Sequence, residues 1–135
     1  MKTLQAIIER ASDGGYGIYM PEIPGIGVTG DTEAEAKENL KDIIGMAIEH
    51  VEETGNDTYY APLMEDHTIE FSYDLSGFFK TFNFFDVTAF SKRIGINASL
   101  MRSYKTGAKK ASASQKSKIL EGIHSVADEL YSVKL

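Results

Sequence analysis

The 135-residue chain contains no cysteine and no tryptophan, has three prolines and three histidines, and has no apolar run near the ~18 residues that a membrane-crossing helix needs. Without cysteine, neither a disulfide framework nor a cysteine-based zinc site can form. His50, His67 and His124 are scattered, with no companions at ligand spacing, so neither a metal nor another cofactor is expected. Met1-Lys2-Thr3 leads into mixed polarity instead of an apolar signal segment, and the expectation is a soluble cytoplasmic chain with no membrane partner. Ser12-Asp13-Gly14-Gly15 lacks the length and the lysine of a phosphate loop. Asp31, Glu33, Glu35 and Glu38 crowd one helical turn, where attraction to the helix dipole accounts for them. No nucleophile stands with a defensible base, so no enzyme is expected.

Hydrophobic residues make up 42% of the chain, enough for a packed core. The net charge of −6 hides a division. Residues 1–57 carry 4 basic and 12 acidic side chains, and residues 87–135 carry 9 and 3. An acidic front would be repelled by nucleic acid, whereas a basic back would be drawn to it.

The front half is organised around Tyr19-Met20-Pro21-Glu22-Ile23-Pro24-Gly25. Its two prolines remove backbone donors, so a strand must end and turn there. Residues 4–10 and 16–20 flank turn formers and read as a β-hairpin, and residues 26–29 allow a short third strand. Thr32 and Glu35 then fit a capping box. The helix from Glu33 to Thr54 places Ala36, Leu40, Ile43, Ile44, Ala47, Ile48 and Val51 on one stripe, with Gly55 just past its end. Asn56-Asp57 opens a polar loop, and residues 67–73 alternate as a fourth strand with Ile69, Phe71 and Tyr73 on one face. The order is βββαβ.

Composition shifts near residues 74–77, where Asp74 or Ser76 can cap a short helix. Phe78, Phe79, Phe82, Phe84 and Phe85 read as the core anchor of a second domain in preference to a base-stacking platform. Asp86 caps a helix over residues 87–94, Gly95 ends it, and Asn97 caps the next over residues 98–106. Two short helices joined by a three-residue turn make a helix-turn-helix, with Val87, Phe90, Ile94, Ile96, Met101 and Tyr104 facing inward. Ser91 and Gly95 offer small side chains where the helices approach. Ser112 or Ser114 caps a last helix whose stripe includes Ile119, Leu120, Ile123, Val126, Ala127 and Leu130. Part of that stripe closes the core, and any excess is available for a dimer interface. Asn97, Ser99 and Arg102 are candidates for base contacts, and Lys105, Lys109 and Lys110 for phosphates.

Gly17-Ile18-Tyr19-Met20-Pro21-Glu22-Ile23-Pro24-Gly25, then Gly30-Asp31-Thr32-Glu33-Ala34-Glu35-Ala36, then a helix-turn-helix, together resemble the HicB antitoxins of bacterial type II toxin-antitoxin systems. Phe90-Ser91-Lys92-Arg93-Ile94-Gly95-Ile96-Asn97 is similar to the large Xre-like DNA-binding class. The resemblance departs from the family pattern at Ile26, where members often carry cysteine, and at Ser91, where alanine is usual.

The resemblance implies an α+β protein in two domains. Residues 1–75 would form a partial RNase H-like domain that binds and neutralises a HicA-type mRNA-cleaving toxin. Residues 76–135 would form an all-α domain that dimerises, or forms a higher homo-oligomer, and represses its own operon on operator double-stranded DNA. For the toxin, Tyr19, Glu22 and Asp31 are the candidate contacts. Two other readings remain: a stand-alone transcriptional regulator with a ligand-sensing front domain, and an enzyme of nucleic-acid metabolism using the clustered carboxylates.

Overall fold

Leu4, Ala6 and Ile8 alternate with Gln5 and Ile7, and this period of two builds the first strand, β1 (Lys2–Arg10), with Leu4, Ala6 and Ile8 buried. The computed structural model, which describes residues 1–11 and 13–135, is α+β. Its described residues divide into two compact units, Met1–Phe78 and Phe79–Leu135.

In the first unit β1 pairs antiparallel with β2 (Tyr16–Tyr19), which pairs antiparallel with β3 (Gly27–Gly30). The fourth strand, β4 (His67–Tyr73), lies parallel to β1 on its other side, giving the order β3-β2-β1-β4. Of the expected turn Ser12-Asp13-Gly14-Gly15, Ser12 lies outside the described residues. The Gly15 amide donates to the Asp13 carboxylate at 2.9 Å, and the Ala11 amide donates to the Gly15 carbonyl at 2.8 Å.

The proline stretch ends β2 as expected, but it does more than turn. The Ile23 amide donates to the Met20 carbonyl at 3.1 Å and the Ile26 amide to the Ile23 carbonyl at 3.3 Å, making two successive turns. Their spacing sends Met20, Ile23 and Ile26 into the core while Pro21, Glu22 and Pro24 stay exposed.

Helix α1 (Glu33–Thr54) has the bounds that its caps dictate. The Thr32 hydroxyl accepts from the Glu35 amide at 3.1 Å, and Gly55 closes the far end in the left-handed region at φ 69°. Only this half of the expected capping box forms; no return bond from the Glu35 carboxylate to the Thr32 amide is present among the described residues. Ala36, Leu40, Ile44, Ala47 and Val51 are buried, with Ile43 and Ile48 partly buried beside them. Gly30 sets how closely β3 and α1 meet. A Cβ there would lie 2.5 Å from the Ala36 nitrogen and 2.9 Å from its Cα, both backbone atoms that cannot swing aside. The Asn39 side-chain amide donates to the Thr29 carbonyl at 2.8 Å and holds the same junction from one turn further along.

The polar loop after α1 contains a short helix that the sequence reading lacked, α2 (Ala61–Met64), with Pro62 in its first turn and Leu63 buried in the core. On β4, Ile69 and Tyr73 pack partly against the core, whereas Phe71 is more than a third exposed and sits under the Lys37 ammonium at 4.8 Å. The Tyr73 hydroxyl donates to the Glu33 carboxylate at 2.7 Å and ties β4 to the start of α1.

The division between the units falls inside helix α3 (Leu75–Thr81), capped by Asp74, whose carboxylate accepts from the Gly77 amide at 2.9 Å. Beyond it come α4 (Val87–Ile94), α5 (Ala98–Thr106) and α6 (Ala113–Ser132). Phe79, Val87, Phe90, Ile96, Met101, Tyr104 and Ile119 are buried. Ser91 is also buried, and its hydroxyl donates to the Thr88 carbonyl at 2.7 Å. Phe79 is a core residue as expected, but Phe84 departs from that expectation at 75% exposed. Ser112 caps α6, whose stripe approaches α4 through Gly122. A side chain at Gly122 would collide with Ile94, a close approach not anticipated from the sequence.

Gly30→Ala is expected to cost ~1 to 3 kcal/mol of unfolding free energy through overpacking against backbone, and Thr32→Ala ~1 kcal/mol through the lost cap; urea denaturation checks both. Burial, and then the bond to Glu33, push the Tyr73 phenol up to about 12. A folded pKa raised above the unfolded value of ~10 gives stability that is whole below that pH and lost as pH rises through the folded value. The advantage of wild type over Tyr73→Phe in thermal midpoint should therefore be full at neutral pH and shrink between about pH 10 and 12.

Candidate functional site

The two units carry opposite charge: Met1–Phe78 has 4 basic and 16 acidic side chains, and Phe79–Leu135 has 10 and 4. A basic partner and an anionic one would thus be drawn to different parts of the chain.

In the second unit, α4 and α5 are joined by Gly95-Ile96-Asn97. Asp86 caps α4 by accepting from the Ala89 amide at 3.0 Å, Gly95 ends it in the left-handed region at φ 73°, and Asn97 starts α5. Buried Ile96 in the turn and Met101 and Tyr104 on α5 fix the inward side. Spacing by three then places Ser99, Arg102 and Lys105 along the opposite, exposed side.

The candidate nucleic-acid residues do not stand there as equivalent free groups. The Asn97 side-chain oxygen accepts from the Leu100 amide at 3.1 Å, so this side chain is held as a cap, with its amide nitrogen and the oxygen's second lone pair left to reach outward. The Arg102 guanidinium donates to the Thr88 hydroxyl at 3.2 Å with one nitrogen and to the Ser99 hydroxyl at 3.1 Å with another. It is thereby held in one orientation between α4 and α5, and Ser99 acts first as its support. Thr88 was not among the sequence candidates, since nothing local marks a residue fourteen positions away as the partner of an arginine. Lys105, Lys109 and Lys110 are exposed, the last two just beyond the Gly107 cap of α5. The Lys109 backbone amide donates to the Ser103 carbonyl at 3.2 Å, anchoring the start of that basic segment. Two further cations of this unit have internal partners. Arg93 pairs with Glu129, and the Lys118 ammonium donates to the Gly95 carbonyl at 3.2 Å.

In the first unit Tyr19 lies on β2, partly buried and directly opposite Ile7 of β1. Its phenol is pushed up by burial first, then by the carboxylates of Glu9 and Asp74, so the field at this ring is negative. Glu22 is exposed, yet its carboxylate accepts from the Gln5 amide at 3.3 and 3.4 Å. Pairing of β2 with β1 begins only at Ile7, and Glu22 satisfies the amide that β2 leaves open. Asp31 is exposed between β3 and α1.

Among the described residues no three His, Cys, Asp or Glu side chains are grouped to hold a metal ion, and no helix is long and apolar enough to cross a membrane.

A family model described as the HicB-like antitoxin of bacterial toxin-antitoxin systems matches residues 4–118. The chain belongs to the HicB-like antitoxin family. The match runs from β1 through the first turns of α6 and takes in both units of this HicB-like chain. The chain is also 56% identical over 46 residues to the UPF0150 protein ssl0738 of Synechocystis sp., covering 34% of this chain and 64% of that one. It thus spans somewhat less than two thirds of that relative's length. No solved structure matches it.

Where HicB antitoxins often carry cysteine, Ile26 fills the core of this HicB-like protein. Ser91 takes the buried position expected of alanine by returning its hydroxyl to the backbone. Asn97→Ala is expected to lose ~1 kcal/mol of stability, while Asn97→Asp, which retains an accepting oxygen, should stay near wild type; denaturant titration of both variants checks the capping role.

Proposed function

We propose that the chain is an antitoxin that binds and neutralises a HicA-type mRNA-cleaving toxin through residues 1–75 and represses its own operon by binding operator double-stranded DNA through residues 76–135. The observation that carries this reading is the family match across both units, joined to their opposite charge. A protein that grips RNA is expected to present a basic surface, and an acidic unit complements it. The antiparallel β3-β2-β1 meander with β4 added parallel to β1 is compatible with a partly formed RNase H-like sheet, and the reading takes over no nuclease activity from that likeness.

For the second unit, α4 and α5 serve as a helix-turn-helix of the Xre-like class. Arg102, aimed by Thr88 and Ser99, reads a base, and Lys105, Lys109 and Lys110 take phosphates. Asn97 contributes through its remaining amide. A two-fold operator needs two such modules. The far part of α6 supports self-association, because Leu130 is 62% exposed and Tyr131 94%, while Ile119 alone of that helix is fully buried.

An antitoxin should lie beside a short basic reading frame whose expression alone arrests growth; co-expression with that frame should restore growth, and the two products should co-purify. Failure of both would refute the antitoxin role and favour a stand-alone regulator. On the promoter, Arg102→Ala should weaken binding and relax sequence preference by ~1 to 3 kcal/mol. Lys109→Ala should lower affinity across sequences and reduce the salt slope by about one unit. Mobility shifts at several salt concentrations measure both, and unchanged binding by two folded variants would remove α5 and its flank from the interface.

A further inference from the structure

The alternation that buries Leu4, Ala6, Ile8 and Ile18 under α1 turns every intervening side chain to the other side of the sheet. The strand register states which residues share that side. Ile7 lies opposite Tyr19, Glu9 opposite Gly17, Gly17 opposite Thr29, and Glu70 beside Gln5. Glycine and threonine keep the surface low around the Ile7 and Tyr19 pair. Both strand carboxylates of this set, Glu9 and Glu70, are exposed. The strand cations have the opposite parity. Lys2 and Arg10 fall on the helix side, where Arg10 lies 4.7 Å over the Tyr16 ring and donates to its hydroxyl at 3.2 Å. The second face of the sheet therefore has Ile7 and Tyr19, both half-buried, at its centre beside Ser72 and Gly17, the first turn of α3 against its Glu9 end, and charge of one sign at its margin.

That is the composition of a protein-binding surface, in which a partly desolvated tyrosine anchors and marginal charges select the partner. The outer side of α1 is also acidic, but it mixes Lys37 and Lys41 with its carboxylates and centres on no such pair. Charge alone steers an encounter, and a desolvated anchor slows dissociation. We infer that the sheet face centred on Ile7 and Tyr19 and edged by Glu9 and Glu70 is the docking surface for a basic, RNA-gripping protein. This rests on the antitoxin reading and gives its toxin a place to bind. Of the three candidate toxin contacts, Tyr19 is central to the face, while Glu22 lies beyond the end of β2 and accepts from the Gln5 amide.

The 135-residue chain, titrated calorimetrically with the purified product of the short basic reading frame expected beside its gene, tests the inference. Absence of binding by wild type would refute the antitoxin reading itself. Given wild-type binding, Glu9→Lys with Glu70→Lys should raise Kd about a hundredfold through like-charge repulsion, and Tyr19→Ala about thirtyfold through loss of an anchor. Glu49→Lys with Glu52→Lys, on exposed positions of α1, should change Kd by less than about threefold. Circular dichroism melting confirms that each variant is folded; the exposed Glu9 and Glu70 pair keeps the test valid if Tyr19→Ala does not fold. Wild-type affinity in the Glu9 and Glu70 double variant, or a larger loss from the α1 pair, would overturn the inference while leaving the antitoxin reading intact. A changed oligomeric state with unchanged Kd would assign the face to a second copy of the chain and equally overturn it.

Discussion

The close approach of β3 to α1 governs the first unit. Gly30 ends the strand and Glu33 begins the helix, so the helix has almost no freedom in where it starts. It must fold straight back over the sheet, and it can do so at that distance only because Gly30 carries no side chain against the Ala36 backbone. The Thr32 cap and the bond from Asn39 to the Thr29 carbonyl then hold the angle. Once α1 is set, the large side chains buried between it and the sheet, among them Leu4, Ile8, Ile18 and Leu40, each contribute ~1.5 to 3 kcal/mol by leaving water. One helix covers one side of a sheet, and the same junction that creates the core turns Ile7 and Tyr19 to the other side.

Features specified within three or four residues were legible in the sequence. The bounds of α1, β4, α4 and α5 follow from Thr32 and Gly55, from alternation, and from Asp86, Gly95, Asn97 and Gly107, each of which acts on the backbone beside it. Features that depend on distant partners were not. Alternation marks β4 as a strand but says nothing of its seat parallel to β1, which is decided by which hydrophobic edge remains open after the hairpin has formed. Helix α2 is too short for a periodic signal and exists because Leu63 reaches the core. Gly122 looks like a flaw within a helical pattern until Ile94 is brought against it.

The candidate sites show the same limit. Residue type suggested Asn97, Ser99 and Arg102 as three readers of bases, and Tyr19, Glu22 and Asp31 as three contacts for a toxin. Type alone cannot reveal that Asn97 is occupied by the Leu100 amide, that Ser99 and Thr88 share Arg102, or that Glu22 completes the hydrogen bonding of β1. Each of these depends on a backbone group or hydroxyl being otherwise unsatisfied, which is a property of the fold and not of the local pattern.

A polar side chain engaged with its own backbone has a different value for recognition from one that is not. Glu22 is held against the Gln5 amide through both oxygens at 3.3 and 3.4 Å, and because a carboxylate has about four lone-pair sites it can still accept from a partner's cation in that orientation. Arg102 is held in a comparable way. Its two supports are hydroxyls, which accept from the guanidinium and can still donate onward, so orientation is gained without consuming the whole donor set. A long side chain already held loses less rotamer freedom on meeting a base edge than a free lysine does. Arg102 is thus restrained on α5 while Lys109 and Lys110, beyond its Gly107 cap, are exposed, a distinction that net charge alone does not contain.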